Sequence, residues 1–221
     1  MPVPPADLNP AGRAEKLRRL RGLYAIADGS AALRPLELVA AFLEAGAPVI
    51  QLRLKQAGAG ELLALATEAA RLCRGRALFL VNDRADVAKL CGADGVHLGQ
   101  DDLPVDAARA VLGPGALIGL STHSDDELAR AAGADYVGFG PVFATATKGT
   151  PLPPPHGLDG LERAVRRAGV PVVAIGGLTA GNAAGVRRAG AVCAAAIGEL
   201  CRSSDPVRRA RELARAFSEG K

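Results

Sequence analysis

Short apolar runs recur along the chain, each followed by a stretch whose apolar residues repeat at helical spacing. The runs are Leu23–Asp28, Val49–Lys55, Leu78–Asp83, Gly95–Gly99, Leu117–Thr122, Tyr136–Phe143, Val170–Gly177 and Ala191–Gly198. Between them lie patterns such as ELLALATEAARLCR (Glu61–Arg74) and DDELARAAG (Asp125–Gly133), which predict amphipathic helices. The phrases EAGA, CGAD, AAGAD and RAGA put a glycine between helix and strand, where a left-handed residue ends the helix. Strands alternating with helices imply right-handed βαβ units and a parallel sheet. Eight units without a break in composition predict a closed (β/α)8 barrel, a TIM barrel, over residues 12–221. A doubly wound open sheet would alternate too, but no GxGxxG follows the first strand. A further helix, about Gly12 to Arg21, is expected to precede strand one and cover the barrel bottom.

Composition narrows the class. The chain has 221 residues, 49% hydrophobic, and no run of roughly 18 uninterrupted apolar residues, so no transmembrane helix is expected. The opening MPVPPADLNPAG has neither a basic region nor an apolar core; residues 1–11 are expected to be a disordered Pro-rich tail rather than a secretory leader. Four cysteines (Cys73, Cys91, Cys193, Cys201) form no CxxC pair, which fits free thiols and a reducing, cytoplasmic setting. The formal charge of +4 invites nucleic acid, but the chain lacks base-stacking aromatic strands. Pairs such as Arg18-Arg19 and Arg187-Arg188 read as solvated helix faces.

In a parallel barrel the C-terminal strand ends converge on one face, where the chemistry takes place. Those ends carry Gln51, Arg53 and Lys55, then Asn82, Asp83 and Arg84, then His97 and Gln100 to Asp102. Ser121, Thr122 and His123 follow, then Thr145, Thr147 and Lys148, and finally Gly176-Gly177 and Gly198. The opposite ends show mostly Gly, Ala and Pro. Gln51, Arg53 and Lys55 alternate onto one face of strand two, where burial is costly unless they bind something or form an internal ion-pair layer with Asp83 or Asp28. With only five lysines among 27 basic residues, Lys55 and Lys148 in the mouth suggest compact charges for phosphate. Asp83 and Asp102 would each serve as a helix N-cap if taken singly. Beside Arg53, Lys55 and Lys148 they suit Mg²⁺ held by two carboxylates and substrate phosphates. Gly176-Gly177 and Ile197-Gly198 fall after strands seven and eight, where barrels of this class bind phosphate on backbone N–H groups.

Seven segments then carry a resemblance: QLRLK (51–55), VNDRADVA (81–88), GADGVHLGQDDLP (92–104), GLSTHS (119–124), GADYVGFGPVFATATK (133–148), AIGGLTAGNA (174–183) and AGAVCAAAIG (189–198). Together they resemble the thiamine phosphate synthase family from about Leu23 to Ala216. The resemblance implies a transferase of thiamine biosynthesis that joins hydroxymethylpyrimidine diphosphate to thiazole phosphate and releases diphosphate, with Mg²⁺. It implies that Gln51, Arg53, Lys55, Asn82, Ser121 and Lys148 hold the pyrimidine diphosphate, with Arg53, Lys55, Ser121 and Lys148 as the catalytic set. Asp83 and Asp102 would bind the metal, and Thr145, Thr147, Gly177, Ile197 and Gly198 the thiazole phosphate. Gly198 stands where the family usually has Ser, and Ala144 and Ala146 replace common prolines. A related thiazole tautomerase, with His123 as its acid–base residue, and a non-catalytic barrel that binds thiamine precursors are the alternatives. The Pro-rich stretch Gly149–Gly157 reads as a lid over the substrates or as a plain insertion.

Overall fold

The structure, a computed structural model, describes residues 12–145 and 154–220. Eight parallel strands close in sequence order, β1 pairing with both β2 and β8. They are β1 Gly22–Asp28, β2 Val49–Arg53, β3 Leu78–Asn82, β4 Gly95–Leu98, β5 Leu117–Thr122, β6 Tyr136–Phe139, β7 Val172–Ile175 and β8 Cys193–Ala196. Around them stand α2 Pro35–Glu44, α3 Ala59–Cys73, α4 Ala85–Cys91, α5 Val105–Leu112, α6 Asp125–Ala129, α7 Gly157–Arg167, α8 Ala180–Arg188 and α10 Pro206–Ser218. α1 Arg13–Arg19 precedes the barrel, and the short α9 Gly198–Cys201 sits directly after β8. The TIM barrel expected from the sequence is the fold observed.

The local rules hold where the chain obeys its own backbone. The four glycines placed at helix ends all have left-handed φ: +78° at Gly46, +69° at Gly92, +84° at Gly133 and +95° at Gly190. Six strands are shorter than the apolar runs suggest, and proline trims two of them. β6 stops at Phe139 because Gly140-Pro141 follows, and proline has no N–H for the ladder. β7 begins only after Pro171, for the same reason. All four cysteines are buried and free.

The barrel bottom corrects the expectation of a Gly, Ala and Pro floor. Asp94 and Asp135, just before β4 and β6, accept the backbone N–H of Phe79 at 3.0 Å and of Ile118 at 2.7 Å. α1 covers this end, as expected, by inserting Lys16 to within 3.4 Å of Asp94 and Arg13 to within 3.5 Å of Asp135. Arg109 from α5 also reaches Asp135, at 2.6 Å. Each buried carboxylate thus keeps both a cation and an amide, which burial of charge requires.

Candidate active site

At the other end the strand register decides which side chains meet. Asp28 and Arg53 are lateral partners in the β1–β2 ladder, and their side chains form an ion pair. Burial pushes the Asp28 carboxyl up, but the Ser30 hydroxyl and amide and the Arg53 guanidinium outweigh it and hold the group below its ordinary range. The internal ion pair that the sequence allows is therefore present, between Arg53 and Asp28. One face of Arg53 is fixed by Asp28, and Arg53 also lines the mouth.

Two residues further on, Lys55 Nζ lies 2.9 Å from Asp83 Oδ2. Asp83 follows β3 with φ +65°, an uncommon conformation that Asp tolerates better than most residues. Its own N–H donates to the His97 carbonyl at 2.8 Å, which ties the turn to β4. Asp102 Oδ2 accepts the Gly99 N–H at 2.6 Å, and so turns back toward the strand ends. Neither carboxylate caps a helix: Arg84 and Pro104 occupy the N-cap positions of α4 and α5. Burial, and then the neighbouring Asp102 carboxyl, raise the Asp83 pKa, while Lys55 only partly offsets them. Two acids held together in this way form an electrostatic demand for a cation.

These residues, with Gln51, Asn82, His97 and Ser121, line a cavity of about 110 Å³ at the centre of the mouth. Gln51 is 2% exposed, and its side-chain nitrogen has no hydrogen-bond partner among the described residues. A buried amide left unpaired costs about 1–3 kcal/mol, a cost that no described residue offsets for Gln51. Ser121 Oγ lies 2.9 Å from His97 Nε2, and His97 Nδ1 lies 3.0 Å from the Tyr136 hydroxyl. The Tyr136 hydroxyl in turn lies 3.0 Å from that of Tyr24. Burial raises both phenol pKa values, so both remain protonated and able to donate. Glycine at 119 makes room for this chain: a Cβ there would fall 2.1 Å from the Tyr136 ring and 2.5 Å from His97 Nδ1.

A larger cavity, about 590 Å³, opens beside the first and is lined by Thr145, Gly177, Ile197 and Gly198. Gly176 and Gly177 have φ of +100° and +63°, and a Cβ on either would strike Pro141 or the Ala144 carbonyl at 2.6 and 2.4 Å. The Gly-Gly pair is thus demanded by the backbone and by close approach of the loop after β6, whatever else it binds. Gly198 is the first residue of α9 and is not left-handed, and an amide at that position has no intrahelical acceptor. His123 also lines this cavity, its ring 3.1 Å from Glu127 Oε2. The two cavities share Ser121, Gly138, Ile175, Ala195 and Ile197 as walls, so they are halves of one site.

The structure therefore brings Gln51, Arg53, Lys55, Asn82, Asp83, Asp102 and Ser121 together, and Thr145, Gly177, Ile197 and Gly198 beside them. Thr147, Lys148 and most of the suggested lid lie outside the described residues. Sequence reasoning missed the Ser121–His97–Tyr136–Tyr24 chain. A signal existed: the chain has two tyrosines, and both fall on strands, Tyr24 in step with Asp28 and Tyr136 in step with Gly138. It also missed Arg202, Ser203, Ser204, Arg208 and Arg209, which line the outer wall of the larger cavity.

Comparison with known proteins agrees with this geometry. The family described as thiamine monophosphate synthase matches residues 23–200. The thiamine-phosphate synthase of Anaeromyxobacter dehalogenans is 47% identical over 100% of this chain and 97% of its own length. That of Myxococcus xanthus is 44% identical over 91% of this chain and 94% of its own. Among solved structures, a thiamine phosphate pyrophosphorylase from Pyrococcus furiosus superposes with TM-score 0.83 at 37% identity, covering 92% of this chain and 98% of that one. A 3-hexulose-6-phosphate synthase, at 22% identity and TM-score 0.62, shares the fold alone. Matched across its barrel by the family and along its whole length by a relative, the chain belongs to the thiamine monophosphate synthase family.

Proposed function

We propose that this chain joins a hydroxymethylpyrimidine diphosphate to a thiazole phosphate, forming thiamine phosphate and releasing diphosphate. Thiamine-phosphate synthesis, a transferase activity, is the name carried by its full-length relatives. The observation that supports the reading best is the pair of adjoining cavities with a common wall at Ser121 and Ile197. Two substrates seated on either side of that wall would present their reacting atoms to each other. Alignment of this kind supplies much of the rate in a two-substrate reaction.

The smaller cavity suits the pyrimidine diphosphate. Gln51 would meet a ring nitrogen or amine, which gives its unpaired amide a partner. Arg53, Lys55 and Asn82 would hold the diphosphate, with Ser121 oriented by His97, joined by Lys148, which lies outside the described residues and is assigned by the family resemblance. The Asp83–Asp102 pair fits a hard divalent cation, because two carboxylates forced together are relieved by shared positive charge. Mg²⁺ bound there would neutralise charge that develops on the leaving diphosphate. Thr145 and the backbone of Gly177, Ile197 and Gly198 would hold the thiazole phosphate in the larger cavity, joined by Thr147, which lies outside the described residues and is assigned by the family resemblance.

As the C–O bond to diphosphate breaks, its electron pair leaves with the diphosphate, and the thiazole nitrogen lone pair forms the new C–N bond. That nitrogen carries no proton, so no general base is required. The residues here act by stabilising the leaving group and excluding water.

The direct test mixes both substrates with the protein and Mg²⁺. Thiamine phosphate and diphosphate should appear in equal amounts, and a chelator should stop both. Binding without product would favour a precursor-binding barrel, and isomerisation of a thiazole phosphate alone would favour a tautomerase. Gln51 gives a sharper check. Gln51→Met fills the same space without an amide, so the free protein should melt no lower than wild type, while the pyrimidine diphosphate KM rises about tenfold. A lowered melting point with unchanged KM would show that Gln51 is structural.

A further inference from the structure

The outer wall of the larger cavity carries three arginines, Arg202, Arg208 and Arg209, and one carboxylate, Glu199. Arg208 lies 3.1 Å from Glu212, and Arg209 lies 3.0 Å from Glu212 and 3.6 Å from Glu199, so both have acidic partners. Arg202 lines the same wall, is exposed, and has no ion-pair or hydrogen-bonding partner for its side chain among the described residues. Its backbone position is fixed by its own N–H, which donates to the Gly198 carbonyl at 3.1 Å. Residues four apart on a helix share a face, and helical side chains lean toward the N-terminus. Arg202 therefore rises on the face that Gly198, with no side chain, leaves open.

We propose that Arg202 is a further side-chain donor to the thiazole phosphate in this chain, beside the threonines assigned above, folding back over Gly198 into the larger cavity. The assignment rests on the thiamine-phosphate synthase reading of that cavity. A guanidinium offers a planar fork matched to phosphate oxygens, and glycine at 198 provides the room to reach them. The phosphate would then be held from below by backbone amides and from the solvent side by Arg202. This accounts for a site that lacks a hydroxyl at 198 while keeping an unpaired cation one helical turn away.

Steady-state kinetics of four variants test it. Arg202→Ala should raise the KM for thiazole phosphate about tenfold and change the KM for pyrimidine diphosphate by less than about twofold. Arg202→Lys should recover part of the loss, since it keeps charge without the fork. The wild-type KM should rise with added NaCl more steeply than that of Arg202→Ala, because an exposed cation is screened by salt. Gly198→Ser in the Arg202→Ala background should restore binding through its hydroxyl, and Gly198→Ala should not. Ser adds no backbone strain there, because the φ of Gly198 is not left-handed. A wild-type KM in Arg202→Ala, or an equal rise for both substrates, overturns the assignment and leaves the parent reading standing. Failure of the wild-type protein to form thiamine phosphate overturns both.

Discussion

Asp83→Asn is expected to lower kcat/KM by about a thousandfold and, in the same variant, to raise the melting temperature of the metal-free protein. The first effect follows if this carboxylate holds the cation that offsets leaving-group charge, a contribution worth several kcal/mol. The second follows from the geometry. Burial and the adjacent Asp102 make a negative charge at Asp83 unfavourable in the folded protein. Its folded pKa is raised, so the folded state binds the proton more tightly than the unfolded chain does. The metal-free protein therefore gains stability as pH falls through the Asp83 range and loses it as pH rises above. Asparagine removes the charge and this slope, and it tolerates the +65° φ that alanine would meet with strain. Loss of the half-exposed Lys55 partner costs little against this. Thermal melts from acid to neutral pH, with and without Mg²⁺, check both halves. Mg²⁺ should raise the wild-type midpoint and leave that of Asp83→Asn unmoved. A wild-type rate in Asp83→Asn would remove the metal assignment.

Arg53→Met is expected to cost about 3–5 kcal/mol of stability, as well as activity, because it strands the Asp28 carboxylate in the barrel wall. Asp28 is held below its ordinary range in the folded protein, so it contributes stability at neutral pH that is lost as pH falls through its folded value. Without Arg53 that loss should begin at higher pH. The double variant Arg53→Met/Asp28→Asn should recover much of the stability while remaining inactive. This separates the structural role of Arg53 from its substrate role. Chemical denaturation of the two variants, beside their rates, decides it. Recovery of activity along with stability would mean that Arg53 is structural only.

How much of this was legible depended on distance along the chain. The strands were found because each is a run of local choices: apolar alternation, a left-handed glycine before it, a proline that ends it. Gln51, Arg53 and Lys55 could be put on one face because a strand has period two. Asp83 and Asp102 could not be settled in that way. Each precedes a helical pattern, where a cap and a ligand look alike. Only the loops after β3 and β4, tied by the Asp83 N–H to His97 and by Asp102 to the Gly99 N–H, turn both away from capping and toward each other.

The sequence by itself determined the eight-fold alternation, the end of the barrel that holds the chemistry, and most residues of the mouth. These follow from backbone rules acting over a few residues, and from the fact that parallel strands all end on one face. The tertiary structure alone decided who pairs with whom. Arg53 with Asp28, Lys55 with Asp83, and the line from Ser121 through His97 and Tyr136 to Tyr24 join residues between 24 and 112 positions apart. Closure of the barrel sets those distances. The bottom layer shows the same limit, since Lys16, Arg13, Asp94 and Asp135 read as ordinary surface charges until α1 is laid across the strands. Burial converts a charge into a requirement for a partner, and only the closed fold states which charges are buried.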